Sequence, residues 1–431
     1  MWAAGCLASC CASCACAACQ GVASGISRRS ARIAYCGLFA MSLIVSWLLR
    51  DFAGPLLAKI PWINTFTDTP SPEWFATQAV LRVSLGNFLF FVAFAVLMIG
   101  VKDQREQRDA WHHGGWMVKL ILWCITIILM FFLPNGLVNA YGSVSRFGSG
   151  LFLLIQVVIL LDFTHNWNAA WVAKDEQFWY IALLCVSVGC YLASFVFSGF
   201  LFHWFTPSGE ECELNTFVIA FTLILGVSFA IVSLHPQVNG SLLPAGVIAA
   251  YCTYLCYSAL SSEPRDYECN GLHKHVNAVS KGTLGLGMLT TLLSVVYSAV
   301  RAGSSTTFLS PPSSPTAGGS KKALLSNNDV EGGDDSESDD DTKPIRRGGR
   351  HSKEPRPVTY VYSFFHLIFA LASMYSAMLL TGWGNANMAE KDIIDVGWPS
   401  VWVRIITQWI TAALYVWSLV APQLFPDRDF S

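Results

Sequence analysis

Residues 178–202 read FWYIALLCVSVGCYLASFVFSGFLF, a stretch with no charged side chain. A helix that crosses the hydrocarbon core of a bilayer needs about 20 mostly apolar residues. Nine further stretches come near that length and character: Ile33–Leu49, Val80–Val101, Met117–Phe132, Ser149–Leu161, Phe217–Leu234, Leu242–Leu260, Thr283–Val300, Val358–Leu380 and Val401–Ala421. A soluble protein of 431 residues would not carry so many. The pattern predicts an all-α polytopic transmembrane helical bundle of about ten spans.

Composition agrees. Hydrophobic residues make up 53% of the chain and charged residues 13%, against about 25% charged in soluble domains. The formal net charge of −2 leaves no basic field to recruit nucleic acid. Compact basic clusters at Arg28–Arg32 and Lys102–Arg108 mark the cytosolic side by the positive-inside rule. With ten spans, both termini are then cytosolic. The one Asn-x-Ser/Thr sequon, Asn239-Gly240-Ser241, falls in a short cytosolic loop on this topology and is expected to carry no glycan.

The chain divides into a Cys-rich segment (1–27), spans one to eight (28–301), a polar insert (302–357), spans nine and ten (358–422) and a short tail (423–431). The first segment holds six cysteines without the Leu-rich centre of a signal peptide. Position 2 is Trp, which excludes N-myristoylation. Cys10, Cys11 and Cys14 are candidates for S-palmitoylation beside a membrane. Zinc binding lacks paired C-x-x-C units and His partners, and a small-residue helix in which Cys is merely apolar is the competing reading. Residues 302–357 are rich in Ser, Pro and Gly, then acidic from Asp334 to Asp341, then basic at Arg346, Arg347 and Arg350. Such a segment cannot bury enough apolar surface to fold and is expected to be a disordered cytosolic loop. Ser336 and Ser338, among acids, are candidate phosphorylation sites; a solvated spacer is the plainer alternative.

Polar groups at membrane depth default to a functional hypothesis. The candidates are Asn87, Gln156, Asp162, His165, Gln408 and the cluster Glu263, Arg265, Asp266 and Glu268. Ser143–Trp171 is longer than a span, about 43 Å as one helix, and its second half, Asp162–Trp171, turns polar and aromatic. Asp162 and His165 share a face at i and i+3. They could bind a polar headgroup or relay protons, or merely cap a long helix. Cys212 and Cys269 lie in loops on the non-cytosolic side, where a disulfide between them is plausible; two free thiols are the alternative. Trp111, Trp116, Trp167, Trp171, Trp179, Trp204, Trp383, Trp398 and Trp402 cluster near span ends, as in an interfacial aromatic belt. Ala372 with Ser376 and Ser373 with Ala377 give small-xxx-small spacing that favours close helix packing. There is no P-loop, no H-E-x-x-H and no G-x-S-x-G. An enzyme is not expected, nor a cofactor or a metal.

Several motifs together resemble the serine incorporator (Serinc) family of multi-pass membrane proteins. They are the Cys-rich start before Arg32-Ile33-Ala34-Tyr35, then Phe132-Leu133-Pro134-Asn135-Gly136, and Leu154-Ile155-Gln156 leading to Asp162-Phe163-Thr164-His165-Asn166-Trp167-Asn168. Tyr257–Pro264 with Cys269-Asn270, Tyr362–His366 through Trp383, and Trp402-Val403-Arg404 through Pro422 complete the set. The resemblance implies two subdomains with a long tilted helix between them, which Ser143–Trp171 would supply. It also implies lipid-facing grooves and the handling of serine-containing lipids, either by aiding serine incorporation into phosphatidylserine and sphingolipids or by moving phospholipids between leaflets. Asp162, His165, Asn168, Gln156, Glu263 and Arg265 are the headgroup-binding candidates on that reading. The alternatives are a non-catalytic scaffold for lipid-synthesis enzymes and an amino-acid transporter. Expected partners are membrane phospholipids and sphingolipids, with lipid-synthesis enzymes under the scaffold reading and a homo-oligomer left open. The expected location is the endomembrane system or the plasma membrane.

Overall fold

A computed structural model describes residues 31–64, 72–207, 211–238, 240–264, 267–271, 293, 358, 360–384 and 397–424. The described elements are helical: α1 (Ala31–Phe52), α2 (Gly54–Leu57), α3 (Pro72–Leu97), α4 (Gln107–His113), α5 (Trp116–Met130), α6 (Asn135–Val172), α7 (Gln177–Phe205), α8 (Glu213–Leu234), α9 (Leu242–Ser261), α10 (Tyr362–Leu380) and α11 (Trp398–Leu424). Among the described residues, eight helices are long and apolar enough to cross a bilayer, and α4 with α5 makes a ninth if that bent pair is one span. They correspond to every expected span except Thr283–Val300, which lies outside the described residues apart from Leu293.

Breaks between helices follow from local chemistry. Gly114-Gly115 separates α4 from α5 at a bend of 71°. Gly115 has φ +69°, a left-handed backbone that glycine adopts without a Cβ clash. Pro134 stops the chain after α5 with an extended ψ of 147° and starts α6. At the next turn Asp175 takes φ 47°, a conformation that Asp tolerates better than most residues.

Two sub-bundles result. The first packs α1, α3, α5 and α10 together, and the second packs α7, α8, α9 and α11; α6 touches both. The first core is aromatic, built on Tyr35, Phe39, Phe91, Phe94, Phe365 and Phe369. The second holds Phe229, Ile248, Cys252 and Tyr415, continuing into Leu201, Phe205, Ile219 and Ile405. α6 gives Val138, Tyr141, Phe152 and Ile159 to the first core and Val157 and Leu161 to the second. This is the two-part architecture with a shared long helix that the resemblance implies. The helix has 38 residues, about 57 Å, and begins eight positions before the expected Ser143. Asn135, Gly136 and Gly142 interrupt the apolar run in sequence, yet Val138 and Tyr141 are buried there.

Inside hydrocarbon, helices gain little from apolar burial against one another, so close approach and hydrogen bonds decide their packing. On α10, Ala372, Ser373, Ser376 and Ala377 are all buried. The Ser84 hydroxyl on α3 donates to the Ser373 carbonyl at 2.7 Å, and Asn87 Nδ2 donates to Ser373 Oγ at 2.6 Å. Trp123 Nε1 on α5 donates to Asn87 Oδ1 at 2.9 Å. In the second sub-bundle Gln408 Nε2 donates to Thr222 Oγ1 at 2.6 Å. Asn87 and Gln408, flagged by sequence as costly polar groups, thus join helices. Many large apolar side chains face outward, with Phe147 82% exposed and Val118 70%, as a lipid solvent allows. Trp116 and Trp383 depart from the aromatic-belt expectation, because both are buried in the first core.

Candidate functional site

The polar half of α6 is where most of the predicted headgroup residues lie. Asp162 is half-buried. Its carboxylate accepts from Asn166 Nδ2 at 2.9 Å, and that nitrogen also donates to the Asp162 carbonyl at 2.7 Å. His165 is exposed one turn along the same flank. Asp162 is thus hydrogen-bonded to Asn166 at i and i+4, and His165 lies within electrostatic range of it. Asn168 Oδ1 accepts from the Ser241 hydroxyl at 2.6 Å, which ties this end of α6 to the residue before α9. Gln156 is half-buried, about two and a half turns before His165 on the same helix. Glu263 lies elsewhere. It follows the far end of α9, a helix of 20 residues, so about 30 Å separates it from Asn168. The structure therefore does not gather Glu263 with the α6 residues into one site. Arg265 lies outside the described residues.

An aromatic ladder closes this end of α6. Trp167 meets Trp171 at 5.3 Å and Trp171 meets Trp179 on α7 at 5.2 Å, and Lys174 Nζ sits 3.2 Å from the centre of the Trp179 ring. Indole rings with a cation beside them suit the headgroup layer.

Along the seam between the sub-bundles a residue that the sequence reading passed over takes a central place. Arg404, half-buried on α11, donates Nη1 to the Ser258 carbonyl of α9 at 2.6 Å and to the Ser258 hydroxyl. Tyr254 on α9 and Tyr375 on α10 lie within electrostatic range of its guanidinium. Tyr375 in turn packs on Phe152 of α6 at 5.2 Å. A cation therefore lies within electrostatic range of phenolic hydroxyls from both sub-bundles. Guanidinium with hydroxyl donors is the chemistry that holds a phosphate.

A family model for serine incorporators (Serinc) matches residues 8–428. The chain is 34% identical to a probable serine incorporator of Nematostella vectensis over 93% of this chain and 91% of that one. It is 32% identical to serine incorporator 3 of Bos taurus, over 82% and 80% of the two chains. Serine incorporator 2 of Bos taurus is 29% identical, over 91% and 90%. The chain belongs to the serine incorporator family.

As a serine incorporator family member it is a multi-pass membrane protein, and its first sub-bundle buries a second polar cluster. Asp109, His112 and His366 are fully buried, and Lys119 is 4% exposed. His112 Nδ1 lies 3.0 Å from His366 Nε2, and His112 Nε2 lies 2.8 Å from the Tyr360 hydroxyl. The Tyr362 hydroxyl donates to Asp109 Oδ1 at 2.7 Å. Lys119 Nζ donates to the His112 carbonyl at 2.8 Å and stands over the Trp116 ring at 4.2 Å and the Tyr35 ring at 4.9 Å. Ring faces take the place of a carboxylate for this cation. Among the described residues no carboxylate forms an ion pair with Lys119. One signal in the sequence points to this cluster, a lone Lys inside the apolar run Met117–Phe132. Its aromatic partners come from distant parts of the chain.

At the other end of the molecule Cys212 and Cys269 form a disulfide with Cα atoms 5.7 Å apart. Glu263 is fully buried beside it, and burial pushes its carboxyl up to about 8. Among the described residues no three His, Cys, Asp or Glu side chains gather as a metal-ligand set. Cys10, Cys11, Cys14, Ser336, Ser338 and Asn239 lie outside the described residues.

Proposed function

We propose that this protein handles serine-containing lipids within the membrane, aiding serine incorporation into phosphatidylserine and sphingolipids or the movement of such lipids between leaflets, with no covalent chemistry of its own. The observation that carries this reading is Arg404, a half-buried cation on α11 bonded to Ser258 of α9 and within electrostatic range of Tyr254 and Tyr375, one from each sub-bundle. A charged group at the bilayer centre costs about 2.5–3.5 kcal/mol even on the gentler scales. Polar contacts from Arg404 at the seam and from Asp162, Asn166 and His165 toward the end of α6 would offset that cost for a headgroup while acyl chains stay in lipid. Energy input is then unnecessary. The names of the relatives, serine incorporators, support a role connected with the incorporation of serine, and both termini on the cytosolic side fit the basic clusters.

The test is leaflet exchange of labelled phosphatidylserine in vesicles carrying the purified protein. Wild type equilibrates the label, Arg404→Ala slows exchange about tenfold or more, and Asp162→Ala slows it less. A wild-type protein that exchanges no more label than empty vesicles rejects the transbilayer reading.

A further inference from the structure

We propose that Glu263, Asn215 and Asn270 form a buried site for a small monovalent cation of the hardness and size of Na⁺, at the disulfide end of the second sub-bundle. The site does not depend on the lipid-handling reading.

Glu263 and Asn215 are fully buried and Asn270 is 1% exposed. The Glu263 N–H donates to the Leu260 carbonyl at 3.2 Å, which fixes it to the end of α9. Asn215, in the first turn of α8, donates Nδ2 to the Phe205 carbonyl at 3.0 Å, and the same nitrogen is 3.4 Å from Glu263 Oε2. Asn270 Nδ2 lies 3.5 Å from the Glu263 carbonyl. These bonds use the nitrogen of each amide. Glu263 Oε1, Asn215 Oδ1 and Asn270 Oδ1 are all buried with no hydrogen-bond partner.

Three orphaned oxygens on three touching residues form an unusual set, since each unsatisfied buried acceptor costs about 1–3 kcal/mol. A proton on Glu263 supplies one O–H and so relieves one further acceptor at most. A cation relieves several at once. The donor set is all oxygen, which selects hard cations over zinc or copper. It carries a single carboxylate, so a monovalent ion leaves the buried site neutral. A divalent ion would leave an unpaired buried charge, which is expensive.

The surrounding chain holds these groups in place. Cys212 lies three residues before Asn215 and Cys269 is next to Asn270, so the disulfide clamps the two amide-bearing segments to each other. The start of α11 is drawn to the same place, where the Gly397 N–H donates to the Ser262 carbonyl at 2.7 Å. The titratable groups that sense the Glu263 charge are Cys256 on α9 and Tyr267 in the following turn. A carboxylate binds a proton or a cation but not both, so proton and cation compete for one place and the cation gains as pH rises.

The experiment uses the full chain in detergent with its disulfide intact. The thermal midpoint is followed as NaCl replaces choline chloride at constant ionic strength, at about pH 8.5 and about pH 6. Sodium should raise the wild-type midpoint by a few degrees at the higher pH and by less at the lower. Glu263→Gln should lose the sodium response while keeping the wild-type midpoint near pH 6. Asn215→Ala should raise the half-saturating sodium concentration about tenfold. Equal midpoints in sodium and choline at about pH 8.5 overturn the proposal, as does Glu263→Gln retaining the full response. A response to Ca²⁺ without one to Na⁺ overturns the monovalent assignment. If Glu263→Gln fails to fold, the wild-type comparison at the two pH values still decides.

Discussion

Glu263 shows how strongly one side chain can depend on its surroundings. Burial raises its carboxyl from the ordinary 4.5 to about 8, so the folded chain binds this proton more tightly than the unfolded chain does. Its contribution is fully present below about pH 4.5 and is lost as pH rises toward 8. In sodium-free buffer, stability should therefore fall across that window by up to about 1.4 kcal/mol per pH unit. Glu263→Gln, which cannot ionise, should flatten the slope in denaturation midpoints taken at several pH values; an unchanged slope would assign the titration to another group. At this scale the sequence was partly legible. Asp162 and His165 share a helix flank by spacing alone, but the hydrogen bond from Asn166 to Asp162 is a detail that side-chain geometry decides. Lys119 is a lone charge in an apolar run that the sequence reading did not single out, and the rings that hold it come from Trp116 and from Tyr35 on another helix.

Helices were the easiest feature to read, because hydrocarbon forces every backbone group to be satisfied within its own segment. Their ends were harder. α6 starts at Asn135 rather than at Ser143, since buried Tyr141 and Val138 outweigh the glycines around them. The 71° break between α4 and α5 rests on Gly114-Gly115. How closely the helices approach is a matter of pairs. A Cβ added at Gly86 of α3 would lie 2.8 Å from the Cα of Ile127 on α5, and backbone cannot move aside as a flexible side chain can. Gly86→Ala should push α3 and α5 apart and cost about 1–3 kcal/mol, read as a lowered thermal midpoint in detergent. A midpoint equal to wild type would show the interface to be looser than this geometry.

The molecule as a whole is two helical groups sharing α6, which places core residues in both. If the bundle itself carries lipid exchange, deleting residues 304–356 should leave the exchange rate at the wild-type level. Loss of exchange in that deletion would move the function to the polar insert and favour a scaffold. The sequence alone determined the solvent, the helical class and the family, because those follow from the length of apolar runs and from motifs read in order along the chain. Only the tertiary structure decided that Arg404 lies within electrostatic range of tyrosines from both halves, that His112 meets His366, and that Glu263 lies with two amides about 30 Å from Asn168. Each of those contacts joins residues far apart in the chain, and their proximity depends on how helices pack side by side, which no local run of residues encodes.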